Sequence, residues 1–239
     1  MAVEGTLFLA FLFRLVKDMN VKMPHPLLNP GEDVNTPKQT PISEEKKRDI
    51  EGFATTKIDN EYTVYSELPR LFAPHIAGND MLKLAMCYAL ASTPEKPLHL
   101  LMIGEPATVK TDMLLEAKQI FPQAVLGSPR STKAGLTIDS NTGQQGLLLL
   151  ADKGVALLDE LDKMGKNELN VLFESLSNGT VSINTSKIHK TYPSRLVCLA
   201  ASNPKGGRFK NNVADVKKQI EETIPIPLIS RFNLVFLIN

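Results

Sequence analysis

Short apolar runs separated by polar turns recur along the chain after residue 71. Four of them are typical of buried strands in an α/β sheet: Leu98–Ile103, Val155–Leu158, Leu196–Ala201 and Leu234–Ile238. Helices are predicted between them, because apolar residues within Asn79–Ala91 and within 113–120 recur at helical spacing. This alternation predicts a mostly parallel sheet covered by helices on both faces, with ligands outside the carboxyl ends of the strands.

The first of these strands leads into a turn with the composition of a phosphate-binding loop. The turn consists of Gly104, Glu105, Pro106, Ala107, Thr108, Val109, Lys110 and Thr111. Backbone N–H groups at the start of the next helix can face phosphate oxygens, Lys110 can meet the β/γ charge, and Thr111 can hold Mg²⁺. The general motif has glycine where this chain has Val109, and a glycine turn followed by Lys-Thr is more often an ordinary strand-to-helix connection.

Two carboxylates, Asp159 and Glu160, follow the strand Val155–Leu158, and Glu160 lies fifty residues after Lys110. A carboxylate at a strand end can complete a magnesium site, and a second one can polarise water. Acidic residues after an apolar strand are common on their own. Because the loop and the acidic pair occur in the right order, each at a strand end, together they favour binding or hydrolysis of ATP.

Two further polar positions stand next to predicted strands. Asn203 follows the strand Leu196–Ala201 and could hold an attacking water, although Asn-Pro is also a common way to begin a turn. Arg231 precedes the last strand. This arginine is either a surface charge or a finger that reaches the γ-phosphate of a neighbouring subunit.

Four ordered segments carry a resemblance to a known family: Gly104–Thr111, Leu157–Met164, Leu199–Arg208 and Pro227–Phe236. They are similar to the signature blocks of the minichromosome maintenance (MCM) family of replicative DNA helicases, which are AAA+ ATPases. The family's Asp-Glu-Phe-Asp-Lys-Met block becomes Asp159–Met164 here, and its Ser-Arg-Phe block is retained as Ser230–Phe232. With the lead-in Leu71–Gly78, which resembles the family's Leu-Ala-Pro-Ser-Ile-Tyr-Gly, the likeness covers residues 71–239.

The resemblance implies a nucleotide site. It implies an AAA+ P-loop ATPase core that binds ATP and Mg²⁺, with residues 104–111 around the nucleotide and Lys110 on its phosphates. Thr111 and Asp159 are expected to hold the metal ion. Glu160 is expected to be the base or the water-polarising group, and Asn203 to sense the γ-phosphate.

The resemblance also implies partners. Arg231 is expected to act in trans, within a hexameric ring made of further copies of the chain or of related MCM subunits. The implied location is intracellular, in the nucleus of a eukaryote or in the cytoplasm of an archaeon.

A hairpin at Thr180–Arg195 is expected to contact DNA, because the family carries a DNA-facing hairpin there. The family's lysine falls at Thr185, so the predicted DNA-binding residues are Lys187, Lys190 and Arg195. The chain holds 27 Lys and Arg against 26 Asp and Glu, so no overall field attracts nucleic acid. Weak, sequence-independent binding to single strands is therefore predicted.

Three departures from the family pattern leave a second hypothesis open. Ala107 stands where the family has glycine, and its methyl group is an obstruction if the backbone there needs positive φ. The longer insert that the family places near DNA is reduced to a short polar linker, Ile138–Gly146. The family's lid domain, with its own arginine, is expected beyond Asn239, where the sequence ends. The chain is therefore either a helicase motor subunit or a catalytically weak paralogue or remnant that binds nucleotide or ring partners without unwinding DNA.

The first seventy residues have a different pattern. Residues 1–23 contain the apolar run Thr6–Val16, which resembles the last strand of the OB-like domain that precedes the family's ATPase core. The run is too short for a bilayer and follows Glu4 instead of a basic region, so neither a membrane segment nor a signal peptide is expected. Residues 24–70 are predicted to be a linker and a charged helix, and residues 71–239 the ATPase domain. Cys87 and Cys198 lie in apolar runs, which predicts buried thiols.

Overall fold

The computed structural model describes Arg48, Gly52 and residues 57–58, 61–121, 124–127, 133–139, 142–184 and 189–238. The strand expected at Thr6–Val16 and most of the linker and charged helix expected at 24–70 lie outside these residues. The domain boundaries therefore stay predictions. Among the described helices, none has the length and apolar character needed to cross a bilayer.

The described elements follow the predicted alternation of strands and helices. The strands are β1 (Lys57–Ile58), β2 (Glu61–Tyr62), β3 (Leu100–Gly104), β4 (Val125–Gly127), β5 (Val155–Leu158), β6 (Thr180–Asn184), β7 (His189–Pro193), β8 (Val197–Ser202) and β9 (Leu234–Ile238). The helices are α1 (Thr63–Leu71), α2 (Asp80–Ala91), α3 (Lys110–Ile120), α4 (Lys133–Leu136), α5 (Leu147–Leu150), α6 (Lys166–Asn178), α7 (Val213–Thr223) and α8 (Ile226–Ile229), with a 3₁₀ turn at Leu161–Lys163.

Five strands form one parallel sheet in the spatial order β4–β5–β8–β3–β9. Strand β3 lies between two strands that come much later in the chain, because Leu101 lies opposite Ala200 of β8 and Val235 of β9. Since all five strands run in the same direction, the loops after β3, β5 and β8 leave the sheet at its carboxyl edge. Ligands of open α/β sheets bind at this edge.

Both faces of the sheet are covered. Leu100 and Met102 of β3 pack in one apolar cluster with residues of α2 and α3, whereas Leu101 and Ile103 pack in a second cluster with α5, α6 and α8. Strands β3, β5 and β8 are consequently buried at every position, which explains why their sequences are almost entirely apolar. The predicted fold, a mostly parallel sheet with helices on both faces, is confirmed.

The segment Ile138–Gly146 between α4 and α5 is as short as predicted, but it is not an open linker. Ile138 is buried and forms an antiparallel bridge with Gln145. The Gly146 N–H donates to the carbonyl oxygen of Thr137, and a Cβ on Gly146 would lie 2.5 Å from the Thr137 nitrogen. The two ends of the segment therefore lie against each other, and position 146 requires glycine because two backbone stretches meet there.

His99 is a buried polar residue at the start of the sheet. Its ring Nδ1 accepts a hydrogen bond from the backbone N–H of Cys198 at 3.1 Å, so the ring must be neutral at that atom. Burial lowers the pKa of His99 to about 4. Both cysteines, Cys87 and Cys198, are free and buried, as predicted, and burial raises the pKa of each thiol.

We expect acid to destabilise the fold through His99. The unfolded ring protonates near its ordinary pKa of 6.5, whereas the folded ring protonates at about 4. The unfolded state therefore binds more protons between these values, and the free energy of unfolding falls as pH falls through this window, by up to about 3 kcal/mol. Urea unfolding at several pH values measures the effect. In His99→Asn the side-chain oxygen can accept the same hydrogen bond but does not titrate, so the fall in the free energy of unfolding between pH 6.5 and 4 should be smaller. An unchanged pH dependence in this variant would show that His99 does not cause it.

Candidate nucleotide-binding site

The loop between β3 and α3 surrounds the ammonium group of Lys110. The Lys110 Nζ donates to the carbonyl oxygens of Gly104 at 2.9 Å and Glu105 at 2.6 Å, and to Thr108 Oγ1 at 2.7 Å. These three acceptors match the three donors of an ammonium group. Lys110 is only 5% exposed, so its charge is confined to the inside of the loop.

The electrostatic surroundings of Lys110 are balanced between burial and negative charge. Burial lowers the pKa of Lys110, and the nearby charges of Asp159 and Asp162 oppose this shift. A phosphate group placed against the loop would add further negative charge and favour the ammonium form. The loop therefore holds a buried positive charge, as a phosphate-binding loop is expected to do.

Ala107 lies in the left-handed region of backbone conformation, with φ of 61°. Alanine in place of glycine was predicted to be an obstruction if φ at this position is positive, and φ is positive here. A residue with a Cβ pays roughly 1–2 kcal/mol for this conformation. The phosphate loop of this chain is consequently strained at its middle.

We expect Ala107→Gly to stabilise the fold slightly. Relief of about 1–2 kcal/mol of strain is partly offset by about 0.5–1 kcal/mol of added freedom in the unfolded chain. The net gain in the free energy of unfolding is then roughly 0.5–1 kcal/mol, measurable by urea titration. Ala214→Gly, at an exposed helical position of α7, is the matched control and should destabilise. Equal losses in both variants would contradict the assigned strain.

The hydroxyl of Thr111 and the carboxylate of Asp159 meet at the carboxyl edge of the sheet. Thr111 Oγ1 donates to Asp159 Oδ2 at 2.8 Å, although the two residues are 48 positions apart. Both oxygens are of the kind that Mg²⁺ prefers. The described residues contain no group of three or more His, Cys, Asp or Glu side chains that could hold a metal. A magnesium ion here would therefore take most of its ligands from phosphate and water, as Mg²⁺ commonly does.

Glu160 lies beside this pair in the left-handed conformation, with φ of 53°. Its backbone N–H donates to Asp159 Oδ1 at 2.8 Å, and its carboxylate accepts a hydrogen bond from the ammonium of Lys163. That hydrogen bond raises the pKa of Lys163. The fold thus places Glu160 at the site, with its carboxylate engaged by a cation of the same turn.

Asn203 stands at the end of β8, next to the turn that follows β5. Its backbone N–H donates to Asp162 Oδ1 at 2.9 Å, and its side-chain Nδ2 lies 3.4 Å from both oxygens of the same carboxylate. The fold therefore brings Lys110, Asp159 and Asn203 to one edge of the sheet. The sequence indicated no role for Asp162.

Arg231 lies at the opposite edge of the sheet. Asn233, two residues later, donates its backbone N–H to the carbonyl oxygen of His99, just before β3 begins. The five residues of β9, at about 3.3 Å each, separate Arg231 from the carboxyl edge by about 17 Å. The exposed Arg231 guanidinium stacks 5.1 Å from the ring of Phe173 on α6. Arg231 is therefore too far away to contact a phosphate bound in the loop of its own chain.

A family model for the MCM P-loop domain matches residues 52–239. The chain belongs to the MCM family. The match identifies the fold around the Lys110 loop as an MCM P-loop domain. It does not assign roles to single residues.

Three curated relatives show how much of an MCM protein the chain covers. It is 33% identical over 218 residues to the minichromosome maintenance protein MCM of Saccharolobus solfataricus, with 83% of this chain and 30% of the relative covered. It is 32% identical over 194 residues to the DNA replication licensing factor mcm6 of Schizosaccharomyces pombe, with 73% and 21% covered. It is 31% identical over 233 residues to the DNA replication licensing factor MCM3 of Entamoeba histolytica, with 87% and 37% covered. The chain thus spans well under half the length of each.

The hairpin of this MCM domain is formed by β6 and β7, with Asn184 opposite His189. Lys187 lies outside the described residues. Lys190 is exposed on β7, where its ammonium stacks 5.0 Å from the ring of Tyr192. The hairpin therefore presents Lys190 to solvent.

Arg195, which the sequence predicted to be the last residue of the hairpin, lies two residues beyond the end of β7 at Pro193. It follows β7, and its guanidinium binds the carboxylate of Asp152 through Nη2–Oδ2 at 2.9 Å and Nε–Oδ1 at 3.2 Å. The Arg195 backbone N–H donates to the same carboxylate at 2.8 Å. The side-chain hydrogen bond to Asp152 raises the pKa of Arg195. The side chain thus already has an anionic partner within the MCM domain.

Gln219 of α7 was not recognised from the sequence, yet it holds the loop that follows Asn203. Its buried Nε2 donates to the carbonyl oxygens of Lys205 at 2.8 Å and Arg208 at 2.9 Å, and its Oε1 accepts from the Lys210 N–H at 3.0 Å. A lone glutamine in a charged helix gives no sequence signal for such a role.

The same loop contacts the phosphate loop directly. Glu105 Oε1 accepts a hydrogen bond from the backbone N–H of Phe209 at 3.0 Å. A Cβ on Gly207 would lie 3.8 Å from the ring of Pro106. The loop after Asn203 is therefore joined to the phosphate loop on one side and to α7 on the other.

Proposed function

We propose that this MCM domain binds ATP with Mg²⁺ at the Lys110 loop and hydrolyses it at the junction with a neighbouring subunit of a ring. The observation that carries the proposal is the hydrogen bond between Thr111 and Asp159, which joins the end of the phosphate loop to the end of β5. A hydroxyl and a carboxylate at this spacing would be able to hold a magnesium ion, which would supply positive charge beside the phosphates.

Each group at the site has a part in the proposed reaction. The ammonium of Lys110 would exchange loop carbonyls for phosphate oxygens, and the N–H groups at the start of α3 would face the same oxygens. Glu160 would polarise the attacking water once its carboxylate leaves Lys163, and Asn203 would hold the γ-phosphate. Bound Mg²⁺ would neutralise charge that develops on the phosphates.

The position of Arg231 supports assembly into a ring. Its guanidinium lies on the surface beside Phe173, at the far edge from the chain's own phosphate loop. In a ring made of further copies of this chain or of related MCM subunits, the edge where the strands of one sheet begin can face the edge where the strands of the next sheet end. We propose that Arg231 reaches the neighbour's γ-phosphate in that arrangement.

DNA is the proposed macromolecular ligand of this domain. Two of the relatives carry names that link them to DNA replication licensing. Within the chain, Lys190 on the exposed hairpin and the neighbouring Lys187 are the proposed phosphate contacts. Arg195 is a weaker candidate because it would have to leave Asp152. With a net charge of +1, binding to single strands should be weak and sensitive to salt.

A second candidate function is that of a catalytically weak MCM paralogue, which binds nucleotide or ring partners without unwinding DNA. The positive φ of Ala107 favours it, because alanine strains the loop backbone in a conformation that glycine adopts without cost. The two candidates share nucleotide binding and differ in turnover.

A labelled-ATP titration beside a turnover assay tests the proposal. We expect saturable binding that needs Mg²⁺, and slow turnover by the chain alone that rises when further copies or related MCM subunits are added. Absence of binding, also in Ala107→Gly, would overturn the proposed function. Binding without turnover in any assembly would favour the paralogue.

A further inference from the structure

Within the part of the chain that the structure describes, the carboxylate of Asp162 accepts hydrogen bonds only from uncharged donors. It lies in the 3₁₀ turn after β5, and it accepts from the Asn203 backbone N–H at 2.9 Å and from Ser202 Oγ at 3.5 Å. Both carboxylate oxygens also lie 3.4 Å from Asn203 Nδ2. Among the described residues, no cation forms an ion pair with it within 4.0 Å.

These contacts determine which way the amide of Asn203 faces. A carboxylate has only acceptor atoms, so the Asn203 atom opposite it must be the donor Nδ2 and not Oδ1. Because Nδ2 faces the carboxylate, the amide oxygen of Asn203 is not the atom turned toward Asp162. The short backbone bond at 2.9 Å holds the end of β8 in the same position.

The held amide lies at the edge of the sheet where phosphate would bind. β5 and β8 are neighbours in the sheet, so the turn that carries Asp162 and the strand end that carries Asn203 face each other. Asp159, which binds Thr111, lies three residues before Asp162. The charges of Asp159 and Asp162 both favour the ammonium form of Lys110 and so oppose the effect of burial on its pKa.

We propose that Asp162 is a positioning residue that orients the Asn203 amide toward the γ-phosphate and so sets the preference of the site for ATP over ADP. This inference rests on the proposed function of the site. Asp162 itself touches no nucleotide in the proposal, because its charge would repel phosphate. It acts through Asn203, whose side chain would otherwise have to be ordered when ATP binds.

The expected effect is limited to the nucleotide that has a γ-phosphate. Ordering one free side chain on binding corresponds to a loss of affinity of about 3- to 10-fold. Asp162→Ala should therefore weaken binding of a non-hydrolysable ATP analogue by about 3- to 10-fold and leave ADP binding unchanged. Asn203→Ala should show a selective loss at least as large, because it removes the contact with the γ-phosphate itself.

Calorimetric titration of the full chain with the analogue and with ADP, both with Mg²⁺, tests the proposal. In the double variant Asp162→Ala/Asn203→Ala, we expect the loss of the single Asn203→Ala variant and no more, because both changes remove one interaction. Asp152→Ala is the matched control, since Asp152 also accepts a backbone N–H but lies at Arg195. It should not alter the ratio of ATP-analogue to ADP affinity.

Asp162→Asn is a second test variant that is expected to fold even if Asp162→Ala does not. Asp162→Asn retains an acceptor for the Asn203 backbone N–H but offers only one acceptor oxygen to the Nδ2 group, so it should show a smaller selective loss. Equal losses for both nucleotides, or additive losses in the double variant, would overturn the role of Asp162 while leaving the proposed function intact. If the unsubstituted chain bound neither nucleotide, the proposed function would fail, and the inference with it.

Discussion

Lys110→Ala is expected to weaken ATP binding by at least about 100-fold. The Lys110 ammonium is the buried cation of the phosphate loop, and its three hydrogen bonds hold it among loop acceptors. Two charge-assisted hydrogen bonds to phosphate oxygens, at about 1.5–3 kcal/mol each, account for a loss of this size. The labelled-ATP titration measures it directly.

The control for Lys110→Ala is Lys118→Ala, two helical turns further along α3. The Lys118 ammonium donates to the carbonyl oxygen of Ala124, away from the loop. We expect this variant to bind ATP like the unsubstituted chain. Thermal unfolding of both variants shows whether the fold persists. If Lys110→Ala remained folded and bound ATP with unchanged affinity, the loop would not be the nucleotide site.

Arg231→Ala is expected to lower the turnover of the assembled protein by about 10³- to 10⁵-fold, the range typical of an arginine finger. ATP binding by the altered chain should stay unchanged, because about 17 Å of strand separates Arg231 from its own phosphate loop. The physical reason is that the guanidinium would stabilise charge that develops on the neighbour's γ-phosphate only in the transition state. Turnover and ATP affinity, measured on the same assembly, separate the two effects.

Arg70→Ala provides the matched control for Arg231→Ala. Arg70 is exposed at the end of α1, where it pairs with Glu67 at 3.0 Å. Its loss should change neither turnover nor assembly. A turnover of the Arg231→Ala assembly within a few-fold of the original would show that Arg231 is only a surface charge.

The element pattern and the fold class could be predicted from the sequence because the central strands are buried on both faces. Such strands are apolar at nearly every position, so β3, β5 and β8 are visible as apolar runs. The phosphate loop was visible for a local reason as well, since its glycine, lysine and threonine are consecutive along the chain. Its strain at Ala107 could be stated from the sequence only as a condition, because φ depends on how the loop closes onto α3.

The spatial order of the strands was decided only in the tertiary structure. No local pattern states that β3 lies between β8 and β9, because pairing of distant strands depends on how all helices pack on the sheet. That order is what brings Thr111 against Asp159 and places Arg231 at the opposite edge.

Side-chain partners of polar residues were also decided by the tertiary structure. The sequence by itself determined an apolar parallel sheet, a phosphate loop, an acidic pair and a basic hairpin, because each depends on residues close together in the chain. It did not determine that Arg195 binds Asp152, that Gln219 holds the loop after Asn203, or that Asp162 faces Asn203. Each of these contacts joins separate elements, and a hydrogen bond between them exists only once packing has brought donor and acceptor together.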